Sequence, residues 1–257
     1  MLFPFRDNNP TRTTPVVTYA LVAANVVAYL GLSALPPRQE QMAVLAYGFI
    51  PARIGQLVEP KAITIEVPRA RVRTPWGIVE EKERFELPPA RGQVLLSLLT
   101  SMFLHGGWSH LIGNLWYLWI FGDNVEDVLG HAGFLVFYLV CGVVASLLHY
   151  LTGPLAELPM VGASGAIAAV LGAYIVAFPR ARVFTLLPLF PFFQVVPLPA
   201  FFVLGLWFLL QFVLGLGVLG AAGTGGIAFW AHIGGFASGW LTMWVVLSRR
   251  RSRGRAE

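Results

Sequence analysis

Six apolar runs, each near the length a helix needs to cross a bilayer, constrain this chain more than any other feature. A spanning helix needs about 20 apolar residues to traverse the hydrocarbon core. The runs cover 15–35, 107–125, 133–151, 163–178, 200–219 and 226–247, and an apolar approach segment at 94–104 precedes the second. Charged residues make up 12% of the chain and hydrophobic ones 56%. That is about half the charge of an average soluble domain, too little to cover the surface of a water-soluble globule. Disorder needs low hydrophobicity and high net charge, so it is excluded. The glycines and prolines follow no short period, which excludes a collagen-like fibre. The single Cys excludes a disulfide framework and a thiolate zinc cluster. The expected fold class is all-α, a polytopic membrane protein.

Basic residues orient the spans. Arg6 and Arg12 precede the first run, Arg180 and Arg182 follow the fourth, and Arg249, Arg250, Arg251, Arg253 and Arg255 follow the sixth. With six spans all three groups fall on one face, which the positive-inside rule makes cytoplasmic. Both termini are then inside. The expected organisation is an N-terminus at 1–14, a first span at 15–35, an extracytoplasmic loop at 36–91, an embedded core with five further spans at 92–247, and a basic tail at 248–257. The tail lacks interleaved aromatics, so it reads as a membrane anchor and nucleic acid is not an expected partner. No cleavable signal pattern precedes the first run, and the short basic ends suggest a bacterial inner membrane. Within the long loop, AITIEVPRARVRT and WGIVEEKERFEL alternate as a hairpin would. The stretch 183–199 is apolar but holds Pro188, Pro191, Pro197 and Pro199. It is expected to be an irregular interfacial lead-in to the fifth span, because proline removes a backbone donor and breaks helices.

Polar groups inside a bilayer are costly and point to function. Three clusters stand out: HGGWSHLIGN, with His105, His110 and Asn114; GASGA, with Gly162, Ser164 and Gly165; and AHIGG, with His232, Gly234 and Gly235. His110 and Asn114 are four apart and share a helix face. They could donate to a developing negative oxygen, worth a few kcal/mol each in a water-poor site, or join helices by a hydrogen bond worth about 1 kcal/mol. Ser164 lies at a helix start, where serine commonly serves as an N-cap. His232 taken alone could be a satisfied structural histidine. Small residues sharpen the choice. Ala231, Gly235 and Gly239 repeat every four, and Gly165, Ala168, Ala169 and Gly172 make a matching strip. Such strips let helix axes approach closely. If the two strips meet, Ser164 and His232 lie at similar depth, as a nucleophile and its base must. No carboxylate lies in the outer halves of the spans to orient the imidazole. The pair would therefore work as a dyad, its ring held by packing or by an uncharged hydrogen bond.

Together these residues resemble the rhomboid family of intramembrane serine proteases. The similarity runs from Thr100 to Gly239 through TSMFLHGGWSHLIGNLWYLWIFGDNVEDVLG, GASGAIAAVLGAYIVAFPRARV and WAHIGGFASG, in that order. It implies a six-transmembrane-helix rhomboid-like bundle, open to water on its outer side, with a long outer loop between the first and second spans. It also implies hydrolysis of a peptide bond in or near the transmembrane segment of a membrane-protein substrate. By motif, Ser164 resembles the nucleophile and His232 the general base. His110, Asn114 and the Ser164 backbone N–H resemble the oxyanion hole, and His105 a structural histidine. Gly162 and Gly165 would shape the turn, and Gly235 and Gly239 would permit close helix contact. Some members carry a tyrosine one turn after the serine, packed on the histidine; here that position is Ala168. The outer loop also lacks the Trp–Arg pair of some members.

Rival functions fit less well. A catalytically silent relative that binds transmembrane clients would have lost the serine or histidine. A transporter would need paired broken helices in repeated halves, and none is visible. No metal or cofactor is expected, since HExxH is absent and His105 and His110 are five apart, a poor helical spacing for one ion. The expected partners are transmembrane substrates and the lipid bilayer.

Overall fold

A computed structural model of the chain describes residues 3–74, 77–189, 192–217 and 228–253. Those residues are mostly helical. In chain order the elements are β1 (Phe3–Asp7), α1 (Val16–Ser33), α2 (Pro37–Tyr47), β2 (Ile63–Thr74), β3 (Gly77–Leu87), α3 (Arg91–Thr100), α4 (Trp108–Leu129), α5 (His131–Thr152), α6 (Ser164–Ala177), β4 (Arg182–Leu189), β5 (Phe192–Pro199), α7 (Ala200–Gly217) and α8 (Phe229–Arg253). Short 3₁₀ turns cover Pro51–Leu57 and Ser101–Phe103. Each of the six apolar runs coincides with a helix. The expected end of the fifth at 218–219, the start of the sixth at 226–227, and Arg255 lie outside the described residues. Helix α8 continues through the first arginines of the tail, which is therefore helical at its start.

Among the described residues α1, α5 and α7 are long and apolar enough to cross a membrane by length and composition. Their outward faces carry apolar side chains such as Val27, Val136, Val140, Leu209 and Val213. Helices α4 and α8 carry charge at one end only, at Asp123, Glu126 and Asp127 and at Arg249 to Arg251. Helix α6 has 14 residues, about 21 Å of helix, against a core of about 30 Å. It is enclosed by other helices, packing on α8, α5, α4 and α7, with every residue from Ala166 to Tyr174 buried.

The start of α1 and the ends of α4, α6 and α8 lie together. Glu126 on α4 is fully buried. It accepts hydrogen bonds from Val17 N at 2.9 Å, Thr18 N at 2.7 Å and Thr18 Oγ1 at 2.7 Å. The first N–H groups of a helix lack partners within it, and α1 has no side-chain cap of its own. A carboxylate from α4 thus serves as its cap and suits the positive end of its dipole. Asp127 accepts from Thr13 N and Oγ1, and Arg250 donates to Val128 O at 2.7 Å.

Two features correct the expectation of an all-helical chain with a loose lead-in at 183–199. That segment is an antiparallel hairpin, β4 with β5, and β1 pairs with β4 to make a three-stranded sheet in the order β1-β4-β5. Pro197 and Pro199 lie on β5 and Pro4 on β1, the two edge strands, where proline is tolerated; Pro188 lies on the central strand β4, past the stretch that pairs with β1, and Pro191 lies outside the described residues. The prolines ended helix without ending regular structure.

The segment 36–91 holds the expected small sheet and a packed core beside it. Strands β2 and β3 form the expected hairpin, with Ile65 opposite Phe85. Ile65, Phe85, Leu87, Leu45 and Ile50 make a small second core. Buried Arg53 donates to Gln56 Oε1 and to Leu45 O, and Gln56 donates to Lys61 O and Leu87 O. An isolated β-bridge, Phe49 with Met160, fastens this module to the strand of chain that leads into α6.

Candidate active site

Helix α6 opens at Ser164, and the residues before it fix its first turn. Gly162 has a positive φ of 120°, a conformation costly for a residue with a side chain. Its N–H donates to Ser101 O at 2.9 Å. The turn is thereby tied to the 3₁₀ segment on one side and, through the Met160–Phe49 bridge, to the module at 36–91 on the other.

Helix α8 lies against α6 backbone to backbone. A Cβ on Gly235 would overlap Gly165 O, one on Gly239 would overlap Ala169 O, and one on Gly172 would overlap Phe236 O. Gly165 itself faces α5, where a Cβ would stand 2.8 Å from that of Ala145. The two small-residue strips meet as their spacing implies. At this separation Ser164 Oγ and His232 Nε2 are 2.8 Å apart. The Ser164 side chain caps nothing on α6, so the hydroxyl is committed to the imidazole.

The α4 donors reach the same turn. The position of a Cβ on Gly162 is 2.6 Å from His110 Nε2 and 3.5 Å from Asn114 Nδ2. Both side chains therefore press on the backbone two residues before Ser164. Asn114 is 8% exposed, and its Nδ2 has no hydrogen-bond partner among the described residues. Buried His105 stands behind His110, ring edge to face, with centroids 5.1 Å apart. Ser164, His232, His110, Asn114, His105 and Gly162 lie together at the start of α6, with Gly235 and then Gly239 farther along the α6–α8 contact.

Two residues here were not anticipated. Gln211 on α7 has its Oε1 2.7 Å from His232 Nδ1. Trp207, one turn earlier, has its ring centroid 5.9 Å from that of His232. Gln211 is the one amide in AFFVLGLWFLLQFVLGLG, and an isolated polar residue in an apolar span is itself a signal. A separate cavity of about 490 Å³, lined by Asn9, Ala177, Arg180 and Arg251 among others, lies at the opposite end of α6 and takes no part in this arrangement.

A family profile described as Rhomboid domain matches residues 92–249. Among similar curated proteins, the presenilin-associated rhomboid-like protein, mitochondrial, of Homo sapiens is 34% identical over 113 residues, 42% of this chain and 29% of that protein. Rhomboid-like protein 11, chloroplastic, of Arabidopsis thaliana is 44% identical over 69 residues, 27% of this chain and 24% of that protein. YdcA of Bacillus subtilis (strain 168), provisionally named a rhomboid protease, is 38% identical over 78 residues, 30% of this chain and 39% of its own length. The chain spans less than half the length of each of these relatives.

Proposed function

The chain belongs to the rhomboid family, and on that footing we propose that it is an intramembrane serine endopeptidase that cuts membrane-protein substrates in or near a transmembrane segment. The observation that carries this reading is the 2.8 Å contact between Ser164 Oγ and His232 Nε2, made between two helices beside the open donor of Asn114. In the proposed reaction Ser164 Oγ attacks the scissile carbonyl carbon while its proton passes to His232 Nε2. Negative charge gathers on the carbonyl oxygen, where Asn114 Nδ2, His110 and the Ser164 backbone N–H donate to it. His232 then gives the proton to the leaving amine as the C–N bond breaks. Water, deprotonated by the same imidazole, hydrolyses the acyl-serine and restores the hydroxyl. His105 buttresses His110 in this scheme.

The proposed topology has six spans, with α4, α6 and α8 completing the set begun by α1, α5 and α7. The gathering of Arg6, Arg12, Arg180, Arg182 and the α8 arginines at one end supports a cytoplasmic N- and C-terminus. Ser164 then opens toward the outer side, as does the module at 36–91. The bilayer proposed is a bacterial inner membrane, on the strength of that basic end alone. A silent client-binding relative has no need of a serine held against an imidazole, which weighs against that alternative.

The test is labelling by a serine-directed fluorophosphonate in liposomes together with cleavage of a transmembrane reporter. Ser164→Ala and His232→Ala should each abolish both signals while the protein still folds. A Ser164→Ala protein that cleaves at the unmodified rate overturns the assignment.

A further inference from the structure

We propose that Gln211 is the positioning residue for His232: its amide oxygen accepts the Nδ1 proton and so turns the Nε2 lone pair to Ser164. This rests on the Ser–His reading above and supplies what a dyad without a carboxylate lacks.

A neutral imidazole carries one N–H and one acceptor nitrogen, and the partner of one fixes the role of the other. Gln211 Oε1, at 2.7 Å from Nδ1, can only accept, so Nδ1 holds the proton. Nε2 is then the bare nitrogen facing the Ser164 hydroxyl at 2.8 Å, the tautomer a general base requires. The opposite tautomer would aim a proton at Oγ and leave the ring unable to take another.

Three further observations bear on the choice of Gln211. It is 7% exposed on a helix otherwise apolar, and a buried amide with no partner would be costly there. The imidazole supplies the partner. Trp207 lies one helical turn from Gln211, so the two share a face. Trp207 flanks the His232 ring and stacks on Phe236 of α8, with centroids 6.3 Å apart. With Ala168 on α6 in the position one turn after Ser164, the ring is held by α7, through one hydrogen bond and one aromatic flank. The titratable groups that face His232 from the other helices are His110 on α4 and His149 on α5. Among the described residues no acid stands within hydrogen-bond reach of the ring.

A glutamine fixes the tautomer but gives no counter-charge to an imidazolium, which separates this device from a carboxylate triad. The experiment uses the full chain in liposomes with a transmembrane reporter, comparing Gln211→Leu, Gln211→Glu and Ser164→Ala. Gln211→Leu should lower kcat about 10- to 100-fold with KM within about 2-fold, a smaller loss than the ~10⁴-fold known for spoiling a triad's orienting carboxylate. Gln211→Glu should recover most of kcat. It should also move the acid limb of the kcat/KM profile to higher pH, because a neighbouring negative charge favours the protonated ring. The proposal is overturned if Gln211→Leu keeps the unmodified kcat. It is equally overturned if the Leu and Glu variants lose activity alike with the acid limb unmoved, since that marks mere packing. Should Gln211→Leu not fold, the Glu variant alone decides by the same limb. Ser164→Ala separates the two readings: an inactive serine variant beside a fully active Gln211→Leu sinks only the positioning role. An active Ser164→Ala sinks the dyad, and the positioning role with it.

Discussion

Helix α8 meets α6 on one face and α7 on another, and the two contacts are built from opposite materials. Toward α6 it offers Gly235 and Gly239, against which backbone carbonyls of Gly165 and Ala169 rest with no side chain between. Toward α7 it offers His232 and Phe236, which meet Gln211, Trp207 and Phe208, the last with its ring 4.5 Å from that of Phe236. A backbone seam has no rotamers to choose and fixes how far the helices stand apart. A side-chain seam has rotamers and ring planes, and fixes which way a group points. The 2.8 Å between serine and imidazole comes from the first; the ring's orientation comes from the second. Altering the first seam should therefore cost stability and catalysis together, and altering the second should cost catalysis alone.

The largest effect is expected at the glycine seam. Gly239→Ala adds one methyl where a carbonyl already lies. Overpacking of this kind costs about 1–3 kcal/mol, or roughly 2–12 °C in Tm for a chain of this size. Activity should vanish with it, because the dyad distance opens. Gly205 on α7 is the control: a Cβ there meets nothing within 4 Å, and Gly205→Ala should leave both Tm and cleavage near their starting values. Equal damage at the two sites, measured by thermal unfolding in detergent, would break the comparison.

Next comes Asn114, which belongs to neither seam. Asn114→Ala should lower kcat by about 10²- to 10³-fold, the scale for losing one oxyanion donor, with KM and Tm nearly unchanged. A fall in Tm that accounts for the lost activity would show a helix-joining residue instead. Trp207→Leu should act more gently. Losing one aromatic flank is worth about 0.5–1.5 kcal/mol, or roughly 2- to 10-fold in kcat, and the pH profile should keep its shape while Gln211 still holds Nδ1.

Much of this arrangement was readable in the sequence, and the parts that were not share a cause. Apolar periodicity over a whole span is local, so α5 was expected over 133–151 and found at His131–Thr152, and α6 over 163–178 and found at Ser164–Ala177. The meeting of Ser164 with His232 was readable because two small-residue strips are complementary at helical spacing. The sheet was not, since Phe3 pairs with Leu186 across most of the chain, and no local pattern announces such a partner. The prolines at 188–199 then argued for irregular chain. Nothing local marks Glu126 either, for its role as cap to α1 also depends on a distant segment. Gln211 differs. A lone amide in an apolar helix was visible from the start, and only its partner was hidden.

The smallest expected effect on cleavage lies at the far end of α6, where a charge rather than a seam is at stake. Asp7 of β1 accepts a hydrogen bond from Tyr174 of α6 and has Asn124 Nδ2 at 3.4 Å. Burial pushes the Asp7 carboxyl up from 3.8 to about 6, opposed by the Tyr174 hydrogen bond. An acid whose pKa is higher folded than unfolded binds its proton more tightly in the folded state. Its contribution to stability is therefore full below pH 3.8 and is lost as pH rises through 6. Tm should decline across that window, and Asp7→Asn, which cannot titrate, should flatten the decline. Cleavage compared between the two proteins at one pH should not differ, because the glycine seam between Asp7 and the dyad does not depend on that proton. An activity change that tracks Asp7 titration would mean that β1 governs the register of α6 against α8, and the seam would then be adjustable instead of fixed.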